Sequence, residues 1–275
     1  MDAFTRRQLQ QLSRRFYAAH ATEFDASRGH HPWPGWERLL EALPAPDVPA
    51  PGESPAPLCV LDVGCGNARL ATFLRSALAQ EAARGGHPRR PLHYVGIDAN
   101  PALLAAARTR LAPDLAGEVT LLEQDFLASS SPGSTLPEGP FELVALFGVL
   151  HHVPGRDWRL GLLEAARDRL AAGGLLALAA WQFAGRPRFE RRRVAWSDLS
   201  PVLGAPIDPA LLEPGDQLLR FGADPEQPPR YCHQVSHEEL GALAGTLGLE
   251  LVADYRSDGA EGDLNRYLLL RRARS

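Results

Sequence analysis

The stretch Val60-Leu61-Asp62-Val63-Gly64-Cys65-Gly66-Asn67 constrains this chain more than any other. A buried strand runs directly into a glycine turn, with an aspartate two residues ahead of the first glycine. Glycines there let the backbone approach a nucleotide-like ligand closely, at the carboxyl end of a strand. The aspartate narrows the choice of ligand, because a carboxylate beside the turn repels a pyrophosphate and pairs with an ammonium group. The third glycine of a dinucleotide fingerprint is missing, its place taken by Arg69. The turn therefore suits a cationic nucleoside better than NAD.

Downstream the pattern alternates. Strands are expected over 58–63, 92–97, 119–122, 141–147 and 175–181, the last after the Gly173-Gly174 turn. Helices are expected over 69–83, 101–111 and 158–170, and Pro101 suits a first helical turn, where no amide partner is needed. This alternation predicts a parallel sheet with helices on both faces. Over 183–234 the pattern breaks into arginines and prolines, then resumes with a helix at 238–247 and two strands at 250–255 and 264–270 that can form an antiparallel edge. Upstream, Leu9, Leu12, Phe16 and Ala19 recur at helical spacing and predict an amphipathic helix over 6–21. The aromatic segment 30–36 leads into a short helix ending near Leu43, and the six prolines of 44–57 predict an extended linker.

Two more acids fall at strand ends. Asp98 closes the second strand in Val95-Gly96-Ile97-Asp98, where an acid accepts ribose hydroxyls in doubly wound folds. The usual distance from the glycines is ~20 residues, and the glycine, proline and arginine insert at 84–91 accounts for the longer gap here. Asp125, just past the third strand, is placed for an adenine amino group, with Phe126 or Leu127 over the ring. A lone strand-end aspartate caps the next helix as readily as it binds a ligand; three beside one glycine turn carry the reading. S-adenosylmethionine has a nucleoside, a positive amino group and no phosphate, and is the expected cofactor. Its expected contacts are Asp62, Gly64, Cys65, Gly66, Asp98, Ala99, Asp125, Phe126 and Phe147.

Over roughly 58–181 and the last two strands, this set resembles the class I S-adenosylmethionine-dependent methyltransferases, with Ala68 at the family's third glycine. The resemblance implies a Rossmann-like α/β fold: a seven-stranded, mostly parallel sheet with a reversed last strand, amino-terminal helices and an insert after the fifth strand. A closer resemblance lies in the flanks. The segment Phe24-Asp25-Ala26-Ser27-Arg28-Gly29-His30-His31-Pro32-Trp33-Pro34 is similar to the amino-terminal signature of methyltransferases that esterify carboxymethyl-uridine at the tRNA wobble position, including the domain fused to AlkB-like tRNA hydroxylases. In that group paired histidines follow the fourth strand, as His151-His152 do here. A late Arg-Tyr-Tyr-His motif matches Arg230-Tyr231-Cys232-His233, and Gly215-Asp216-Gln217-Leu218-Leu219-Arg220-Phe221 resembles the short element before it. The expected organisation is an amino-terminal helical cap and linker over 1–57, then a methyltransferase domain over 58–275 with a substrate-side insert at about 183–235. The resemblance also implies tRNA as a partner and a small zinc-binding activator protein.

Carboxylate methylation is an in-line displacement by a nucleophile already ionised at neutral pH. It needs alignment and shielding from water, not a base. Arg28, Arg230 and His233 are expected to position the acid or its uridine, with Tyr231 stacking or hydrogen bonding, and Trp33, Arg191 and Arg192 as further substrate contacts. For a hydroxyl or ring-nitrogen acceptor, His151 or His152 is the first candidate base. Plainer readings stand beside these. The histidine pair can simply close a strand before Pro154, Trp33 and Trp36 can pack the amino-terminal helix, and the arginine run of 186–193 is a solvated helix face as readily as an RNA-phosphate patch. Cys232, His233 and His237 lack the spacing of a familiar metal site, and no metal is expected. A small-molecule carboxylate or hydroxyl methyltransferase, with the arginine insert as a lid, and a catalytically silent fold-mate are the alternatives.

Composition adds exclusions. The net charge of −4 gives no global field for nucleic acid, so any such site is local. All 29 basic residues are arginine, which a GC-rich genome explains without function. No apolar run approaches the ~20 residues of a membrane span, and the first eleven residues lack a signal peptide's apolar core, so a cytoplasmic location is expected. Cys59, Cys65 and Cys232 form neither a disulfide framework nor a zinc spacing.

Overall fold

A computed structural model describes residues 1–28, 31–45, 54–86, 88–111, 118–199, 207–222 and 228–274, with the Arg28 side chain outside the description. In chain order the elements are α1 (Ala3–Arg28), α2 (Glu37–Ala42), β1 (Leu58–Val63), α3 (Arg69–Gly85), β2 (Leu92–Asp98), α4 (Pro101–Leu111), β3 (Val119–Glu123), β4 (Phe141–Phe147), α5 (Arg156–Asp168) and β5 (Leu170–Trp181). There follow α6 (Pro187–Glu190), β6 (Arg193–Val194), β7 (Asp216–Leu219), β8 (Arg230–His233), α7 (His237–Gly245), β9 (Glu250–Ser257) and β10 (Asn265–Arg271).

Seven strands form one sheet in the order β3-β2-β1-β4-β5-β10-β9. β3 to β5 are mutually parallel, and β10 runs antiparallel to both β5 and β9. The fold expected from the alternation and the resemblance is the fold observed. Its central strands are apolar on both faces because both faces are covered. Leu143, Ala145, Leu175 and Ala177 share one core with Leu70 and Leu74 of α3 and Leu104 of α4. The intervening Val144, Leu146, Leu176 and Leu178 share the other with Leu162 and Leu163 of α5 and Leu240 and Leu243 of α7.

Several boundaries differ from expectation. β5 starts at Leu170, with Gly173-Gly174 inside it, because the strand pairs Phe141 with Leu170 and then shifts register rather than beginning after the turn. α5 accordingly ends at Asp168. α1 runs on to Arg28, past its apolar stripe, and Asp25 fastens these turns by accepting from Asn67 Nδ2 at 2.6 Å and Arg110 Nη2 at 2.8 Å.

The irregular stretch after β5 holds a second sheet, β6-β7-β8, antiparallel throughout. Leu9 and Leu12 of α1 pack against Leu218 of β7 and Tyr231 of β8. The amino-terminal cap and the insert, separate in the sequence reading, thus share one apolar cluster. Residues 46–53 of the expected linker lie outside the described residues. Among the described residues no helix is long and apolar enough to cross a membrane.

Candidate functional site

The carboxyl ends of β1, β2, β4 and β5 open on a cavity of about 870 Å³ that α1 walls on one side. That is the usual place for a ligand in an open α/β sheet, and the volume suits a drug-sized molecule with room beside it. One half of the cavity is built on the β1 turn. Gly64 has φ +72°, and a Cβ there would lie 2.7 Å from Val149 Cγ2. Asp98 accepts from Gly66 N and Asn100 N, each at 2.8 Å, so one carboxylate shapes both the glycine turn and the loop after β2. Burial raises its pKa, opposed by those two amides. Ala68, at the amino end of α3, keeps the left-handed backbone (φ 54°) that a glycine would adopt freely. The methyl side chain costs about 1–2 kcal/mol in that conformation.

Asp62 is buried in the cavity floor and accepts a hydrogen bond from the Tyr94 hydroxyl at 2.5 Å. Burial pushes its carboxyl up to about 7, the Tyr94 bond opposing and the neighbouring Asp98 adding to the rise. Asp125 lines the same half. One oxygen accepts from Leu127 N at 2.8 Å and the other is ion-paired with Arg14 of α1. Cys65, Ala99, Phe126 and Phe147 also face this half, so all nine residues expected at the cofactor lie on one cavity.

The other half is aromatic and basic. Phe24, Tyr17, His152, His151 and Trp181 form a continuous wall, successive ring centroids lying 5.4, 5.2, 4.0 and 5.2 Å apart. The histidine pair forms a short 3-10 turn after β4. Trp33 lines the cavity and stacks on the buried Trp36 at 5.4 Å. Arg230, the first residue of β8, is 8% exposed and also lines the cavity. Its guanidinium lies over Phe16 at 4.8 Å and Trp181 at 5.0 Å and donates to the Tyr17 hydroxyl at 3.2 Å. Among the described residues no carboxylate forms an ion pair with it, and its Nε has no hydrogen-bond partner. A buried cation in that state is costly unless an anion completes it.

The residues expected at the substrate are placed differently. His233 and Tyr231 do not line the cavity. Strand alternation turns them away from Arg230 into a buried network, where Asp216 Oδ1 lies 2.7 Å from both the Tyr231 hydroxyl and His233 Nδ1, and Glu239 lies 2.8 Å from His233 Nε2. Glu213, Asp216 and His233 bring donor atoms within 4.8 Å of one another, as a metal site does. The space is used otherwise: buried Arg159 bonds Glu213 and Glu239, each at 2.6 Å. Burial alone lowers the His233 pKa, but the bonds to Asp216 and Glu239 outweigh it and the pKa is raised. A raised folded-state pKa contributes stability that is complete below the unfolded value of ~6.5 and disappears as pH rises through the folded one. Thermal stability is therefore expected to fall as pH climbs from about 6.5 through that raised value, and His233→Gln to flatten the slope. Thermal melts across pH check this.

Arg191 and Arg192 also lie off the cavity, Arg191 exposed and Arg192 half-buried. In the same run Arg186 is paired with Asp263 at 2.7 Å and Arg193 with Glu190 at 3.0 Å. The Arg28 side chain falls outside the described residues. Sequence reasoning passed over Tyr17, Arg14, Asn100 and Trp181, all on the cavity wall. Gln10, Arg14, Tyr17 and Phe24 stand at helical spacing beside the apolar stripe of α1, and that second stripe was the available signal. Gln10 Nε2 donates to Leu127 O at 3.3 Å and Asn100 Nδ2 to Tyr17 O at 2.8 Å, tying the helix to the strand ends.

Residues 61–176 match the family model described as a methyltransferase domain. A search of curated proteins returned no match. Among solved structures the chain is similar to the CcbJ methyltransferase from Streptomyces caelestis, at 18% identity over 94% of this chain and 97% of that one, with a TM-score of 0.58. It is similar to an S-adenosylmethionine-dependent methyltransferase from Clostridium acetobutylicum at 14% identity, 94% and 99% coverage and a TM-score of 0.55. A third likeness is to the magnesium protoporphyrin IX methyltransferase (ChlM) from Synechocystis with bound SAH, at 16% identity, 94% and 86% coverage and a TM-score of 0.50. At these identities the likeness is one of fold.

Proposed function

We propose that this chain, whose residues 61–176 match a methyltransferase-domain model, is an S-adenosylmethionine-dependent methyltransferase that esterifies a carboxylate, and that the acid belongs to a carboxymethyl-type wobble uridine of tRNA. The observation that carries the carboxylate is Arg230, a buried guanidinium facing the cavity with an unsatisfied Nε and no acidic partner among the described residues. The uridine and the tRNA rest on the flank motifs and on the aromatic wall, which suits a planar ring. A cytoplasmic location and a small zinc-binding activator belong to the same reading.

The bound cofactor supplies a methyl group on a positive sulfur. The protein supplies alignment and a dry site. Asp62 would pair with the ammonium group, Asp98 would accept from the ribose hydroxyls, and Asp125 and Phe126 would hold the adenine. Arg230 holds the acid by one edge and leaves the second oxygen to attack. Too tight a pair would blunt that oxygen, and the guanidinium's contacts with Tyr17, Phe16 and Trp181 spread its charge. Methyl transfer to an anion would cancel opposite charges, a change that a water-excluding cavity favours.

The Asp62 carboxyl, near 7 in the unliganded protein, sets a pH signature. Only its ionised form pairs with an ammonium group, so cofactor affinity is expected to fall by up to about tenfold per unit below pH 7. For the unliganded fold the trend is opposite: a carboxyl raised from the unfolded value of ~3.9 to about 7 costs stability progressively as pH climbs through that window, and the cost is constant above it. Calorimetric titrations at pH 6, 7 and 8 check the first statement, and Asp62→Asn should erase the slope.

Mass spectrometry of nucleosides from tRNA incubated with the protein and methyl-labelled cofactor tests the function. The expected product is a methyl ester on a carboxymethyl uridine. Label only in small acids would remove tRNA and keep the carboxylate, whereas label on no acid would remove both.

A further inference from the structure

We propose that Tyr17 is the base of a second methylation activity in this cavity, on an acceptor whose reacting group is a neutral O–H. The proposal rests on the carboxylate reading for where the acceptor lies, and goes beyond it, because an ionised acid needs no base.

His152 Nδ1 lies 3.1 Å from the backbone carbonyl oxygen of Tyr231. A carbonyl only accepts, so Nδ1 carries the proton and Nε2 of the neutral ring is the acceptor. Nε2 lies 2.7 Å from the Tyr17 hydroxyl, which therefore donates to it. Arg230 Nη1 donates to the same phenolic oxygen at 3.2 Å. The phenol proton is thus directed at an imidazole and the phenol oxygen lies against a guanidinium, an arrangement in which the hydroxyl can accept a proton as it passes its own to the ring. All three side chains line the cavity. The carbonyl that sets the tautomer is fixed in turn, since the Tyr231 hydroxyl is anchored to Asp216 at 2.7 Å on the far face of β8. Esterification of a carboxylate uses none of this proton arrangement.

The step balances within the site. The acceptor O–H gives its proton to the Tyr17 oxygen as the Tyr17 proton passes to His152 Nε2. The acceptor oxygen bonds to the methyl carbon, the carbon–sulfur bond breaks with its electron pair going to sulfur, and a neutral thioether leaves. The positive charge that was on sulfur ends on the imidazolium, which gives its proton to water after the product departs.

Two RNA hairpins carrying 5-carboxymethyluridine or 5-hydroxyuridine present an acid and an enolic hydroxyl on the same ring. With saturating cofactor, the native protein should form ester on the first and ether on the second. Tyr17→Phe should lower the ether-to-ester ratio about a hundredfold or more, and His152→Gln, which removes the ring that receives the proton, should lower the same ratio. Cofactor affinity by calorimetry verifies that each variant is folded. Ester without ether from the native protein overturns the proposal and leaves the carboxylate reading standing. No ester overturns that reading and the proposal with it. An unchanged ratio in Tyr17→Phe makes Tyr17 a positioning residue and overturns its role as a base.

Discussion

Arg230→Met is expected to cut carboxylate methylation by about a hundredfold or more and to raise the melting temperature of the unliganded protein. Two charge-assisted hydrogen bonds to an acid are worth about 1.5–3 kcal/mol each, and every 1.36 kcal/mol of transition-state stabilisation is about tenfold in rate. The stability gain has a separate origin. Arg230 is 8% exposed and lacks an acidic partner among the described residues, so folding desolvates a cation that only substrate completes. An apolar chain of similar length keeps the contacts with Phe16 and Trp181 and drops the charge. A gain of about 1 kcal/mol, or a few degrees, is expected. Melting curves and single-turnover rates separate the outcomes: loss of activity together with stability would make Arg230 a packing residue.

Asp98→Ala is expected to weaken cofactor binding by about a thousandfold, more than ribose contacts alone would explain. The carboxylate holds Gly66 N and Asn100 N at 2.8 Å each, so its removal loosens the glycine turn as well. Hydrogen bonds to a charged group contribute about 1.5–3 kcal/mol, and part of the turn's preorganisation is lost with them. Asp98→Asn keeps one acceptor oxygen but turns an amide donor on one backbone N–H, and should fall between. Calorimetry gives the affinities and circular dichroism the integrity of the fold. An affinity within a factor of three of native would take Asp98 out of the site.

The sequence by itself determined the sheet and which residues meet on the glycine-turn half of the cavity. Those features are local: the turn after β1 needs glycines at 64 and 66, apolar strands covered on both faces read as continuous runs, and an acid at a strand end lies at the sheet's ligand edge wherever the helices pack. The tertiary structure alone decided the other half. Residues on β8 alternate, so of four adjacent motif residues Arg230 faces the cavity while Tyr231 and His233 turn into the Arg159 network. No spacing rule says which face of a short strand in an insert meets the ligand. Tyr17 reaches His152 across 135 positions of sequence only because Leu9 and Leu12 seat α1 on the second sheet. That docking depends on apolar surfaces from three distant segments meeting at once, a long-range contact that helical periodicity specifies in kind and not in place.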